Sequence, residues 1–106
     1  MKLAIVIASN DAETVFNALR LGNFARKEGD EVGAFLVGKV VELDRIEDEC
    51  FDVSEQARML LGAGGRIMAC GTCLEMRESP EPELCPLSTM KDLYELVRGA
   101  DRVVSF

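Results

Sequence analysis

Two thiols separated by two residues, Cys70-Gly71-Thr72-Cys73, are the residues of this 106-residue chain best placed to do chemistry. A C-x-x-C pair suits three tasks: holding a metal, exchanging a dithiol for a disulfide, and carrying sulfur on one reactive thiol as a persulfide. Packing is the plain alternative for each cysteine taken alone. All three tasks use the thiolate, so they need positive charge or N–H groups nearby. Arg66-Ile67-Met68-Ala69-Cys70 reads as a short buried strand that runs into a tight turn. Thr72 with Glu75 is a capping-box pattern, which predicts a helix start there and gives Glu75 no role beyond the cap. Ser79-Pro80 ends that helix early. The thiols are thus expected where a strand ends and a helix begins, the place where open α/β sheets gather ligands. Gly71, Thr72 and Cys73 supply N–H groups there, and Gly71 admits a close backbone approach because it has no Cβ. Arg77, one helical turn past Cys73, is expected to face the same end.

The chain has no histidine. That removes the usual general base, the usual partner of a cysteine nucleophile and the commonest zinc ligand. A metal site would need Cys50, Cys70, Cys73 and Cys85 together, and no second C-x-x-C supports one, so no metal or other cofactor is expected. A thioredoxin pattern places its C-x-x-C after the first strand of a βαβ unit, whereas this pair follows the third strand. Cys50, beside Phe51, reads as a small buried hydrophobe, and Cys85, between Leu84 and Pro86, as incidental to the chemistry. Met68, Met76 and Met90 read as core or subunit-contact residues.

The elements that must position the pair follow an alternating pattern. Residues 3–8 form an unbroken apolar run, which suits an interior strand of a parallel sheet, covered on both faces. Asn10 with Glu13 predicts a capped helix over residues 10–27, with Gly29 just past its end. Residues 31–37 read as a second strand. The apolar stretch 40–43 either extends that strand or packs on the sheet as a loop, and residues 44–49 are charged and solvated. Asp52 with Glu55 caps a helix to about residue 61. Gly62-Ala63-Gly64-Gly65 follows a helix and opens a strand, so it is a terminator; a phosphate loop would follow a strand and open a helix. Residues 81–86 are an acidic, Pro-bearing loop. Ser88 or Thr89 caps a last helix whose apolar positions Met90, Leu93, Tyr94 and Val97 fall at i, i+3, i+4 and i+7. Gly99 ends it, and residues 101–106 finish as a strand. Strands alternating with helices imply right-handed crossovers and a parallel sheet between two helical layers.

With 48% apolar residues, the chain has enough for one core, and it is expected to be a single domain over residues 1–106. The formal net charge of −7 argues against nucleic acid and against an anionic membrane surface as partners. No run reaches the roughly 20 apolar residues of a membrane span. Polar residues follow the first apolar run at once, so no signal peptide is expected. Four cysteines without an export signal read as reduced thiols of a cytoplasmic protein.

Taken in order, these stretches resemble the DsrE/DsrF-like family, which includes the TusD-type sulfur-relay subunits. The resemblance rests on the opening strand, Phe35-Leu36-Val37-Gly38-Lys39-Val40-Val41, the helix ending in glycines, Arg66-Ile67-Met68-Ala69-Cys70, and Ala100-Asp101-Arg102-Val103-Val104-Ser105-Phe106. It implies a three-layer α/β/α sandwich with a five-stranded parallel sheet, the DsrEFH-like fold, assembled as a homotrimer or hexamer. The family's reactive cysteine falls on Cys70, which implies a sulfurtransferase-like carrier that takes sulfane sulfur from a donor protein and hands it to an acceptor. A non-catalytic binding or assembly module of the same fold, or a redox protein using Cys70 and Cys73, remains the alternative. The helix dipole by itself favours Cys73, expected at the first helical position, as the thiolate. With the resemblance, Cys70 becomes the carrier and Cys73 an auxiliary that attacks the persulfide, releases sulfide and leaves a Cys70–Cys73 disulfide.

Overall fold

The first apolar run becomes β1 (Lys2–Ile7), and it lies inside the sheet as its composition requires. It pairs in parallel with β2 (Glu31–Leu36) on one side and with β5 (Arg102–Ser105) on the other. Leu3, Ala4, Ile5 and Ile7 are all at most 5% exposed, which is what helices on both faces produce. β3 (Arg66–Cys70) pairs with β2, and β4 (Leu87–Ser88) pairs with β3. The five parallel strands run in the order β4-β3-β2-β1-β5. The structure, a computed structural model, describes residues 1–80 and 85–106. Most of the expected acidic loop, residues 81–84, therefore lies outside the described residues.

Two helices cover one face. α1 (Ala12–Lys27) and α2 (Val53–Gly62) pack together, and a Cβ added at Gly22 of α1 would lie 3.2 Å from Ile5 and 3.5 Å from Leu60. The short α3 (Gly71–Met76) follows β3. α4 (Met90–Gly99) covers the opposite face, where Leu96 sits so close over Gly33 that a Cβ there would fall 2.6 Å from its Cδ1. The layers are α/β/α. Winding runs outward from β1 to β4, then α4 carries the chain back beneath the other face to β5 beside β1. The strand order therefore reverses between β1 and β5, and β4 and β5 are the two edges of the sheet.

Several local expectations need correction. The cap of α1 is Asp11, not Asn10: its carboxylate accepts both the Thr14 N–H (3.0 Å) and the Thr14 hydroxyl (2.8 Å). Position 13, opposite Asn10, is a glutamate and has no hydroxyl to give that second bond. Asp52 caps α2 as expected. Residues 40–43 do not extend the strand; they pack into the core, the second alternative, but as a helical segment and not as a loop. Gly38–Arg45 is a 3₁₀ segment with a kink at Glu42, and it buries Val40, Val41 and Leu43 completely. Thr89, with Asp92, forms the capping box of α4. The inward line of α4 is Leu93 and Leu96. Met90 and Tyr94, expected on the apolar face, are each 62% exposed, because the seat of Leu96 over Gly33 rotates them outward. β4 has only two residues and no apolar alternation, so nothing in its sequence marked it as a strand.

Gly65 tests this packing. A Cβ there would lie 2.5 Å from Leu60 Cδ1 and 3.0 Å from the Leu60 carbonyl oxygen, and backbone cannot swing aside as a side chain can. Gly65→Ala is expected to cost about 1–3 kcal/mol in chemical denaturation. Gly62→Ala, in open space at the end of α2, is expected to be neutral or to stabilise by up to about 1 kcal/mol.

Candidate functional site

β3 passes into α3 with no residue between them. Cys70 is the last residue of the strand and also the cap residue of the helix, with extended φ −63° and ψ 113°. It is in register with Ser88 of β4 and is 4% exposed. It thus lies at the carboxyl ends of β3 and β4, the edge of an open α/β sheet where ligands gather, though two strands away from the reversal of strand order between β1 and β5. Strand alternation places its side chain on the face of Met68 and Phe35. Among the described residues, no donor meets the Cys70 sulfur.

The expected capping box does not form. The helix begins at Gly71, so Thr72 is its second residue and Cys73 its third, and no side chain caps it. Thr72 and Glu75 are both exposed. The reason is the seamless junction: Cys70 already has the extended backbone of a cap, which draws the first helical position two residues forward. Gly71 is also less constrained than expected. A Cβ on it would lie 3.4 Å from the Ser88 carbonyl oxygen, an ordinary contact.

Cys73 is half-buried, and its sulfur accepts the Gly38 N–H at 3.4 Å. Gly38 opens the 3₁₀ segment with φ +65°, a conformation that glycine adopts without a steric penalty. Its amide is one of the N–H groups that the start of a helical segment leaves without a partner, and the thiol supplies one. The sequence carried a signal for this contact, a glycine ending the apolar strand at Val37, although no sequence pattern ties position 38 to position 73.

Arg77 does not point at either sulfur. Its Nη1 donates to the Cys73 carbonyl oxygen (3.0 Å), and its Nε lies 3.9 Å from Glu42 Oε1. The other oxygen of Glu42 pairs with Arg45 (2.8 Å) and accepts the Ser79 hydroxyl (2.8 Å). The Glu42 carboxylate, unnoticed in the sequence, therefore ties the end of α3 to the 3₁₀ segment. It draws the guanidinium toward a carbonyl and an anion rather than toward a thiol.

The other two cysteines divide. Cys85 is buried at 1% exposure, and burial pushes its thiol up to about 12, with the charge of Asp44 adding to the shift. Cys50 was expected inside and is exposed. Asp48 Oδ1 accepts the N–H groups of Cys50 (2.8 Å) and Phe51 (3.1 Å), a turn that sends Phe51 against Phe16 at 5.4 Å and leaves Cys50 outside. Among the described residues, no group of three or more Cys, Asp or Glu is placed to hold a metal ion, so the four thiols do not form a common site. No described helix is long and apolar enough to cross a membrane.

The model of the DsrE/DsrF-like family matches residues 1–106. The chain belongs to that family. An uncharacterized protein of Methanocaldococcus jannaschii is 32% identical over 114 residues, covering 100% of both chains. Another, from Methanopyrus kandleri, is 32% identical over 100 residues, covering 89% of this chain and 83% of its own. The crystal structure of the ychN protein from E. coli superposes with a TM-score of 0.87 at 22% identity, covering 100% of this chain and 99% of that one. Its likeness bears on the fold alone. The DsrE fold thus accounts for the sheet order.

The thiols should differ in reactivity. At pH 8, iodoacetamide is expected to modify Cys50 first, Cys73 next and Cys85 only on unfolding, read by peptide mass. Cys85 also adds a pH dependence. Its folded value lies above the ordinary 9.0, so the unfolded chain loses that proton first as pH rises. The stability it contributes is complete below pH 9.0 and is lost as pH rises toward about 12. Labelling of Cys85 in the native protein at the rate of Cys50 would contradict this order.

Proposed function

We propose that this DsrE-like chain carries sulfane sulfur as a persulfide on Cys70 and passes it to a partner protein. The observation that carries the reading is the place of Cys70, at the carboxyl end of β3 where α3 begins, on the edge of the sheet where open α/β folds gather ligands. Family membership over the whole chain supports it. In the loading step, the Cys70 thiolate attacks the sulfane sulfur of a donor persulfide or polysulfide. A bond forms from Cys70 Sγ to that sulfur, the donor's S–S bond breaks, and the donor leaves as a thiolate. Delivery reverses the chemistry onto an acceptor thiolate. Nothing is oxidised or reduced overall, so no metal or redox cofactor is required. Four free thiols suit the cytoplasm, a reducing compartment.

A persulfide is more reactive than a thiol, and exposure of the carrier at only 4% would keep it from stray nucleophiles. The test is intact mass after loading with inorganic polysulfide. The parent and Cys73→Ser are expected to gain one reductant-removable sulfur, and Cys70→Ser is expected to gain none. Equal loading of the two variants would instead favour a binding module whose cysteines are not the carrier.

The carrier works as an assembly of identical copies, a trimer or hexamer. Exposed Met90, Tyr94 and Val97 on α4 and exposed Val103 on the edge strand β5 support this, since a chain this small gains burial by association. Sedimentation equilibrium at micromolar protein should give at least three chains per particle, and Tyr94→Glu should lower that number. A monomer for the parent would remove the claim.

A further inference from the structure

We propose that the sulfur leaves the protein through Cys73, to which the Cys70 persulfide first passes it; this rests on the reading of Cys70 as carrier. Cys70 is 4% exposed, so a small polysulfide reaches it more readily than the thiol of a protein-sized acceptor does. Cys73 is half-buried and so is open to the surface in part. The two are the cap residue and the third residue of α3. Only Gly71 and Thr72 lie between them, across the turn where β3 becomes α3.

The chemistry balances without a further reactant. The Cys73 thiolate attacks the terminal sulfur of the Cys70 persulfide. A bond forms between Cys73 Sγ and that sulfur, the S–S bond on Cys70 breaks, and the electron pair leaves on Cys70 as a thiolate. The sulfane sulfur keeps its oxidation state. The terminal sulfur is the reachable one, because the inner sulfur is Cys70 Sγ itself, packed in the core, and the added atom stands one bond of about 2.05 Å further out.

Gly38 is the positioning residue for this step. Its N–H meets the Cys73 sulfur at 3.4 Å, and such a bond strengthens when the acceptor carries negative charge. The amide therefore holds Cys73 in place as it attacks. The donor is a backbone amide, so residue 38 contributes no side chain to the contact. The Arg77–Cys73 carbonyl bond and the Glu42 cluster hold the same short helix against the 3₁₀ segment that presents Gly38.

The experiment separates access from loading. Protein loaded with inorganic polysulfide is desalted and mixed with a maleimide polymer of protein size, a probe that only an accessible sulfur can meet. Adducts through a persulfide are released by reductant, and adducts through a thiol are not. The parent is expected to give a reductant-released adduct that maps to Cys73. Cys73→Ser and Cys73→Ala are expected to load one sulfur by intact mass and to lose the releasable adduct. Capture from these variants at the parent's rate would show that Cys70 hands sulfur out directly, overturning the proposal and leaving the carrier reading intact. Loss of the sulfur as sulfide, with a Cys70–Cys73 disulfide left behind, would also overturn it. Absence of loading in the parent would remove the carrier reading and this proposal together.

Discussion

A strand that becomes a helix with no residue between leaves its last side chain where two elements meet. That constraint governs this molecule. Cys70 closes the hydrogen-bonded register of β3 with β4 and sets the backbone angle from which α3 starts. Its side chain is held by the sheet on one side and the helix on the other, so it has little freedom to move. The same junction brings Cys73 to the third helical position and half out of the core. One thiol is enclosed and its neighbour is open, and both follow from the missing linker.

The surroundings of the pair are built from backbone more than from charge. The chain is acidic overall, and Arg77, the cation expected to face the thiols, is occupied by a carbonyl oxygen and by Glu42. What reaches a sulfur is the Gly38 amide at the start of the 3₁₀ segment. That segment is pinned by Val40, Val41 and Leu43, none of which is exposed at all. Burying such side chains contributes about 1.5–3 kcal/mol each. The apolar residues of a stretch whose sequence left strand and loop open thus fix the position of the amide that meets the Cys73 sulfur.

The legible parts of the sequence were those where one signal has one meaning. An unbroken apolar run such as residues 3–8 has few homes other than the interior of a parallel sheet, and β1 is there. Asp52 with Glu55, and glycines after a periodic stretch, marked α2 and its end correctly. Ambiguity entered where two local patterns competed. Asp11 displaced Asn10 because Thr14 offered a hydroxyl as well as an amide. Thr72 and Glu75 had a capping box in sequence, but Cys70 already occupied the cap. On α4 the helical spacing was right and the facing was wrong, because the tight seat at Gly33 selected Leu96. Cys50 followed the general tendency of cysteine to be buried until Asp48 turned the chain. Contacts such as Gly38 with Cys73, 35 residues apart, leave no periodic trace at all.

The central claim is that sulfur resides on Cys70, and the most direct measurement is a crystal structure of the polysulfide-loaded protein. To hold the sulfur in place, Cys73→Ser is the form to load. The account predicts one additional sulfur atom about 2.05 Å from Cys70 Sγ, with Ser88 and α3 in their present positions. An unmodified Cys70 with the added sulfur on Cys50 or Cys85 would contradict it.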